Sequence, residues 1–135
     1  MKIVIMDGQG GRMGALAVKR IKELRPELEL LAIGTNSIAT SAMLKAGADM
    51  GATGENPAVR ACIDADVIIG PIGIVCANAI LGEVTPKMSE AVGSSRAHKL
   101  LIPVNSCSIT VAGVADMPLS GYVSSAVDRL LGMLG

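Results

Sequence analysis

Aromatic residues are almost absent from this chain of 135 residues, which has no Trp and no Phe and a single Tyr, Tyr122. The core must therefore be filled by Ile, Leu, Val, Ala and the eight Met, whose flexible thioethers suit irregular gaps. Half of the residues are hydrophobic and 18% are charged, which excludes a disordered polar chain. At this length we expect one domain, spanning residues 1–135.

Net charge is also lacking, because twelve basic and twelve acidic side chains cancel to zero. Proteins that bind DNA or RNA usually carry a basic surface, so nucleic acid is not an expected partner. No apolar run reaches the roughly 18 residues that cross a bilayer. The four apolar residues between Lys2 and Asp7 are too few for the core of a signal peptide. We therefore expect no membrane association and a cytoplasmic location.

Patterns typical of metal sites are missing as well. Cys62, Cys76 and Cys107 form no Cys-x-x-Cys pair, and the single His98 is separate from each of them in sequence. An odd number of cysteines does not suit a disulfide framework either. The sequence therefore predicts neither a zinc site nor a set of disulfides.

Apolar runs alternate with amphipathic stretches along the chain, as expected for repeated βαβ units. Strands are predicted at residues 2–6, 28–33, 48–50, 66–70, 99–104 and 108–114. Helices are predicted between them, with an apolar stripe along residues 119–134 and with N-caps among Thr35, Asn36, Ser37, Asn56 and Thr85. The segment 74–81 fits either a helix or an apolar crossover. The sequence thus predicts a Rossmann-type three-layer α/β/α fold with a mostly parallel sheet of five to six strands.

The most specific motif lies between the predicted first strand and first helix. It consists of Asp7, Gly8, Gln9, Gly10, Gly11, Arg12, Met13 and Gly14. Such a glycine turn lets the backbone approach a pyrophosphate closely, and the helix that follows offers free N–H groups and a partial positive charge. Its position between a strand and a helix supports a nucleotide-binding site at residues 8–14. The alternative is a turn that only packs the strand against the helix.

Residues 8–14, which read Gly-Gln-Gly-Gly-Arg-Met-Gly, resemble the fingerprint of the dihydrodipicolinate reductase family. The nicotinamide-binding domain of that family begins with a strand followed by such a turn, so the resemblance implies a Rossmann fold with NAD or NADP as the cofactor. The likeness covers about the first 25 residues. The family's substrate domain and histidine-rich catalytic motif are absent, so its reaction is not implied. The chain as a whole resembles a small bacterial family of single-domain proteins of unknown function.

Two features depart from the usual dinucleotide pattern. Asp7 places a carboxylate directly before the first glycine, where a small or apolar residue is usual; it either turns away from the ligand or binds another group, such as a substrate hydroxyl. The predicted second strand ends in Gly34, Thr35 and Asn36, without the Asp or Glu that binds the adenosine ribose or an Arg for a 2′-phosphate. The sequence therefore favours neither NAD nor NADP over the other.

In an open parallel sheet the ligand lies beyond the carboxyl ends of the strands. Besides residues 8–14, the predicted cofactor-binding residues at that edge are Thr35 and Asn36 near the adenosine ribose, Pro71, Ile72 and Gly73 near the nicotinamide ribose, and Asn105.

Asp7, Glu55 and Cys107 are the candidate reactive groups at the same edge. Cys107 would be the nucleophile if the site has one, and a helix N-terminus nearby would lower its pKa, although a small buried hydrophobic residue explains it more simply. Glu55 is expected to begin a helix, and the simpler role of Asp7 is to cap the glycine turn. His98 is expected at the opposite edge of the sheet, facing solvent.

Three functions remain open from the sequence. The first is a cytosolic protein that binds NAD or NADP on the loop, with oxidoreductase activity as one option. The second is a non-catalytic nucleotide-sensing or regulatory subunit, and the third is a small hydrolase or transferase that uses Asp7 or Cys107. The high apolar content also predicts a homodimer, formed through the last helix or residues 72–81.

Overall fold

The computed structural model describes residues 1–104 and 108–134. Within them, the strands are β1 (Ile3–Asp7), β2 (Leu30–Gly34), β3 (Met50–Thr53), β4 (Val67–Pro71) and β5 (His98–Ile102). The α-helices are α1 (Arg12–Leu24), α2 (Ser37–Ala46), α3 (Glu55–Asp64), α4 (Pro86–Ser94) and α5 (Leu119–Met133). A short 3₁₀ turn, Ile72–Val75, follows β4.

The five strands form one parallel sheet in the order β3-β2-β1-β4-β5. β1 lies at its centre, with Ile3 opposite Leu30 of β2 and opposite Val67 of β4. The direction of winding reverses between β1 and β4. Ligands of open parallel sheets bind at such a reversal, beyond the carboxyl ends of the strands.

Helices cover both faces of the sheet, which gives the predicted Rossmann-like three-layer α/β/α fold. One apolar core joins the sheet to α1, α2 and α5, and the other joins it to α3 and α4. β1 contributes Ile3 and Ile5 to the first core and Val4 and Met6 to the second. Because both of its faces are buried, its sequence is a continuous apolar run instead of an alternating one.

Two of the three helix starts predicted from the sequence have the expected N-cap. The Asn36 side chain accepts a hydrogen bond from the Ala39 N–H (2.9 Å), and the Thr85 hydroxyl accepts one from the N–H of Met88 (3.2 Å). Asn56 is not a cap, because α3 begins one residue earlier. The Glu55 carboxylate complements the dipole at the first position of α3, and the proline that follows Asn56 is tolerated within the first turn.

The sixth strand predicted at residues 108–114 is not formed. In the described residues 108–118 the chain turns at 111–114, where the N–H of Val114 donates to the carbonyl oxygen of Val111 (3.4 Å) and Gly113 has a φ of 83°. The apolar residues Val111 and Val114 of this segment line a groove beside β5 instead. Among the described helices, none is long and apolar enough to span a membrane.

Candidate functional site

The glycine loop is a tight turn between the end of β1 and the start of α1. The N–H of Gly11 donates to the carbonyl oxygen of Gly8 (2.9 Å), and Gly11 has a left-handed φ of 73°. The Gly11 carbonyl oxygen then accepts the N–H of Ala15 (2.9 Å), which is the first hydrogen bond of α1. The loop thus has the strand-turn-helix geometry that its sequence predicts.

Packing explains three of the four glycines in this loop. A Cβ added to Gly8, Gly11 or Gly14 would lie 2.5 to 2.8 Å from an atom of α2 or of the residue that follows β2. Gly10 differs, because no atom of the described residues beyond its two chain neighbours lies within 4 Å of a Cβ at that position. The missing side chain of Gly10 is therefore not required by the fold of the loop.

The Asp7 side chain binds the loop from inside. Its Oδ1 accepts the N–H of Gly8 and its Oδ2 accepts the N–H of Gly14, both at 2.8 Å. Burial raises the pKa of this carboxyl and the negative charge of Glu83 adds to the effect, although the hydrogen bonds from Gly14 and Gly8 act in the opposite direction. Asp7 therefore caps the glycine turn, which is the simpler of the roles considered for it.

A second carboxylate, Glu83, lies on the β2 side of the loop. Its Oε1 accepts hydrogen bonds from the N–H of Gln9 (3.0 Å), the hydroxyl of Thr35 (2.5 Å) and the amide of Asn36 (2.8 Å). Partial burial acts to raise the pKa of Glu83, but these three donors outweigh it and lower the pKa. An ionised carboxylate thus stands at the end of β2, where the sequence of β2 itself supplies none.

Sequence reasoning missed Glu83, because it belongs to the crossover between β4 and α4 and lies 48 residues from Thr35. One signal was available. Glu83 is the only charged residue between Asp66 and Lys87, so it is a single charge within an otherwise apolar and glycine-containing segment. A buried or partly buried charge of this kind needs hydrogen-bond donors, and the glycine loop provides them.

The backbone that presents Glu83 is strained. Positive φ angles occur at Asn78 (66°), Ile80 (56°), Leu81 (52°) and Gly82 (87°). For a β-branched residue such as Ile80 this conformation is a genuine outlier, and such outliers concentrate at functional sites. The turn is closed by hydrogen bonds from the Gly82 N–H to the Asn78 carbonyl (3.1 Å) and from the Glu83 N–H to the Ile80 carbonyl (2.9 Å).

A cavity of about 240 Å³ lies on the other side of the loop, at the reversal between β1 and β4. The loop forms one wall, and the remaining walls come from the end of β4, the crossover and the start of α5. The lining residues outside the loop are Asp7, Pro71, Ile80, Val104 and Leu119. The volume is below the range of about 300 to 1,000 Å³ that is typical of drug-sized ligands.

The predicted cofactor-binding residues therefore do not form a single site. Residues 8–13 and Pro71 line the cavity, whereas Thr35 and Asn36 bind Glu83. Ile72 lies instead on a larger apolar groove of about 550 Å³ between β5 and α5, and Gly73 is buried in the 3₁₀ turn that follows β4. Asn105 and Cys107 lie outside the described residues.

Two further candidates have other positions. The Glu55 carboxylate at the start of α3 accepts a hydrogen bond from the Thr85 hydroxyl (2.6 Å), so it links α3 to α4 as well as complementing the helix dipole. His98 is exposed at the first residue of β5, at the edge of the sheet opposite the glycine loop, as predicted.

A search of solved structures returned a dodecameric FMN-dependent Ubix-like decarboxylase from Escherichia coli O157:H7. It shares 13% sequence identity, the match covers 98% of this chain and 94% of that chain, and the TM-score is 0.46. The expectation of NAD or NADP as the cofactor was wrong: Glu83 lies at the end of β2, where the adenosine ribose of a dinucleotide would bind, and it accepts hydrogen bonds from Thr35 and Asn36, the two residues predicted to contact that ribose.

No curated protein matches the chain. The family model described as "Domain of unknown function (DUF3842)" matches residues 2–134. It thus covers both sides of the glycine loop, the crossover that carries Glu83, and every strand and helix described above. The chain belongs to this DUF3842 family.

Proposed function

We propose that this protein binds a small phosphorylated ligand, of about mononucleotide size, in the cavity between the glycine loop and the end of β4. The observation that carries the proposal is the open position of Gly10. The other loop glycines are needed for packing, but Gly10 lines the cavity and has no neighbour within 4 Å of a Cβ position among the described residues. A glycine there leaves room for another molecule to approach the backbone.

The chemistry of this wall suits a phosphate group. In the described part of the chain, the N–H groups of Gly10 and Arg12 have no hydrogen-bond partner, and both lie at the positive end of the α1 dipole. The Arg12 guanidinium is exposed at the first residue of the same helix. Asp7 also lines the cavity, but both of its oxygens accept N–H groups of the loop, from Gly8 and Gly14, and these donors offset part of its negative charge.

The size of the cavity favours a single phosphorylated unit. Its volume of about 240 Å³ is smaller than a dinucleotide needs. Pro71, Val104 and Leu119 provide apolar walls opposite the loop, which suit a sugar edge or a planar ring. Nucleoside monophosphates, sugar phosphates and flavin mononucleotide are therefore the compounds to screen.

The geometry favours a binding function over an enzymatic one. Each oxygen of Asp7 accepts a backbone N–H of the loop, so moving this carboxylate toward a ligand would break the cap that shapes the site. This supports the second function considered above, a non-catalytic sensing subunit. The oxidoreductase option depended on a nicotinamide cofactor and is withdrawn with it.

The test is calorimetry with the purified protein against AMP, GMP, ribose 5-phosphate, FMN and inorganic phosphate. A ligand at a hundredfold excess over its Kd raises the free energy of unfolding by about 2.7 kcal/mol, so thermal shift provides a second readout. Gly10→Leu should reduce the affinity at least about tenfold while leaving the unliganded protein equally stable. Gly132→Leu is the matched control, since Gly132 is an open glycine on α5, away from the loop.

Two results would overturn the proposal. One is the absence of any saturable binding among the phosphorylated compounds. The other is a Gly10→Leu variant that binds the same compound as tightly as the wild type does, which would move the ligand away from the loop.

A further inference from the structure

The glycine loop has two sides, of which one is open and the other is covered. The side facing β4 opens into the cavity that we assign to a phosphorylated ligand. The side facing β2 is covered by the crossover, whose Glu83 carboxylate binds Gln9, Thr35 and Asn36. In dinucleotide-binding domains the ligand extends over both sides, with the adenosine ribose beyond the end of β2.

The crossover rests on the loop at Gly8 and occupies the end of β2. A Cβ on Gly8 would lie 3.0 Å from Oε1 of Glu83 and 3.1 Å from Cδ1 of Ile80, so these two side chains rest directly on the loop. An adenosine ribose placed beyond the end of β2 would have to displace the Glu83 carboxylate from Thr35 and Asn36.

The crossover also occupies the hydrogen-bond donors that the second nucleotide of a dinucleotide would need. The Gln9 N–H and the side chains of Thr35 and Asn36 are the donors on this side, and all three are directed at a single oxygen of Glu83. The negative charge of Glu83 would repel a second phosphate at the same place. The three donors hold the carboxylate in its ionised form.

Buried residues on both sides of Glu83 in the sequence fix its position. Ile80, three residues earlier, and Val84, directly after it, are buried in the same apolar core, with 8% and 1% of their surfaces exposed. The N–H of Val84 donates to the carbonyl oxygen of Ala79 (3.1 Å), which closes the turn around Glu83. The carboxylate is therefore a fixed part of the site and not a mobile surface charge.

We propose that Glu83 determines the specificity of this site by closing the β2 side of the glycine loop, so that a mononucleotide is accepted and a dinucleotide is rejected. This inference rests on the proposed function. The inference assigns the contact between Glu83 and the loop a role in ligand selection. It also explains why a loop that resembles a dinucleotide fingerprint lies beside a cavity of only about 240 Å³.

The experiment compares two matched pairs of ligands, AMP with ADP-ribose and FMN with FAD, by calorimetry. In each pair the second compound contains the first and extends it by another phosphorylated half. The proteins are the wild type, Glu83→Ala, Glu83→Gln and the control Glu90→Ala, which removes an exposed carboxylate of α4. Glu83→Gln keeps the size of the side chain and removes its charge, so it covers the case in which Glu83→Ala does not fold.

We expect the wild type to bind the shorter member of one pair at least about tenfold more tightly than the longer one. Glu83→Ala should reduce this preference about tenfold or more, Glu83→Gln should reduce it by less, and Glu90→Ala should keep it. The affinity for the shorter compound should change by less than about threefold. In the ligand-free protein, the amide of Gln9 should exchange faster in both Glu83 variants, because its acceptor is removed or weakened.

The outcomes separate the two proposals. If the shorter compound binds and the preference is the same in Glu83→Ala as in the wild type, Glu83 does not set the specificity and the proposed function stands. If removing Glu83 weakens binding of the shorter compound about tenfold, Glu83 is a ligand-binding residue and the inference is overturned. If no compound binds any of the proteins, the proposed function fails and the inference fails with it.

Discussion

The carboxylate of Asp7 and the backbone N–H of Gly14 form a hydrogen bond of 2.8 Å that spans the glycine loop. It connects the last residue of β1 to the first turn of α1, while the other oxygen of Asp7 accepts the N–H of Gly8. The loop is thus shaped by a carboxylate of its own chain. In a loop built to hold a pyrophosphate directly, those N–H groups would face the ligand.

The burial of Asp7 predicts an unusual pH dependence of stability. Burial, followed by the charge of Glu83, raises the pKa of Asp7 above its ordinary value of 3.8. Between the ordinary and the raised value the folded state binds more protons than the unfolded state, so the contribution of Asp7 to stability falls as the pH rises through that interval. Compared with Asp7→Asn, which does not titrate, the wild type should therefore lose free energy of unfolding as the pH is raised.

The measurement is urea unfolding of wild type and Asp7→Asn at a series of pH values from about 4 to 7. Asp116→Asn, at an exposed position before α5, is the control for removing a carboxylate. A difference between wild type and Asp7→Asn that is independent of pH, or that grows in favour of the wild type at higher pH, would show that the pKa of Asp7 is not raised.

The alternation of apolar runs and amphipathic stretches was sufficient to predict the fold class, because each element shows its buried face in its own residues. In α5, the buried residues Val123, Val127 and Leu130 fall on the stripe that the sequence displays. For β3 the sequence predicts residues 48–50, whereas Met50–Thr53 forms the strand. Its residues Gly51 and Ala52 are poor strand formers, so pairing with β2 determines the conformation.

The candidate site was predictable only in part. The loop and Asp7 are adjacent in sequence, so their geometry follows from local rules. Glu83 reaches the loop only because the consecutive residues Ile80, Leu81 and Gly82 adopt positive φ angles. Ile and Leu rarely adopt this conformation, so their presence in the sequence does not predict it. A contact that depends on strained backbone at distant residues requires the three-dimensional structure to be found.

Replacing Gly11 should damage the fold instead of the ligand site alone. A Cβ on Gly11 would lie 2.8 Å from both Cα and the carbonyl oxygen of Ala39, which are backbone atoms of α2, and its φ of 73° strains any L-residue. Gly11→Ala should cost about 2 to 4 kcal/mol of unfolding free energy. Gly132→Ala, in open space on α5, should instead stabilise by about 0.5 to 1 kcal/mol, because alanine is the better helix former.

Urea denaturation of both variants decides this prediction. If Gly11→Ala were as stable as the wild type, α1 and α2 would not approach each other as closely as described. Gly11 is for the same reason a poor position for testing ligand binding, and Gly10 is the appropriate one.

The Tyr122 hydroxyl should stabilise the segment that precedes α5. It donates to the carbonyl oxygen of Ala115 (2.9 Å) and accepts the N–H of Met117 (3.2 Å). Tyr122→Phe removes both hydrogen bonds and keeps the ring, so it should cost about 1 kcal/mol and speed amide exchange at Met117. Hydrogen exchange followed by NMR or mass spectrometry measures this, with Ser125→Ala on the exposed face of α5 as the control. Unchanged exchange at Met117 would mean that other contacts hold the segment.

The crossover turn should become more stable when its strain is removed at an exposed position. Leu81 has a φ of 52° and is 94% exposed, so its side chain contributes little burial while its backbone is strained. Asparagine tolerates the left-handed conformation, and Leu81→Asn should therefore raise the free energy of unfolding by about 0.5 to 1 kcal/mol. Ile80→Asn relieves the same kind of strain (φ 56°) but loses a side chain that is 8% exposed and should destabilise by about 2 kcal/mol.

Urea unfolding of the two variants separates backbone strain from side-chain burial, because they differ mainly in burial. A Leu81→Asn variant less stable than the wild type would show that the left-handed turn is not strained. Amide exchange at Gln9 provides the link to the ligand site. It should be unchanged in Leu81→Asn, which leaves the Glu83 contact intact, and faster in Ile80→Asn, because Ile80 anchors the crossover that holds Glu83 over the loop.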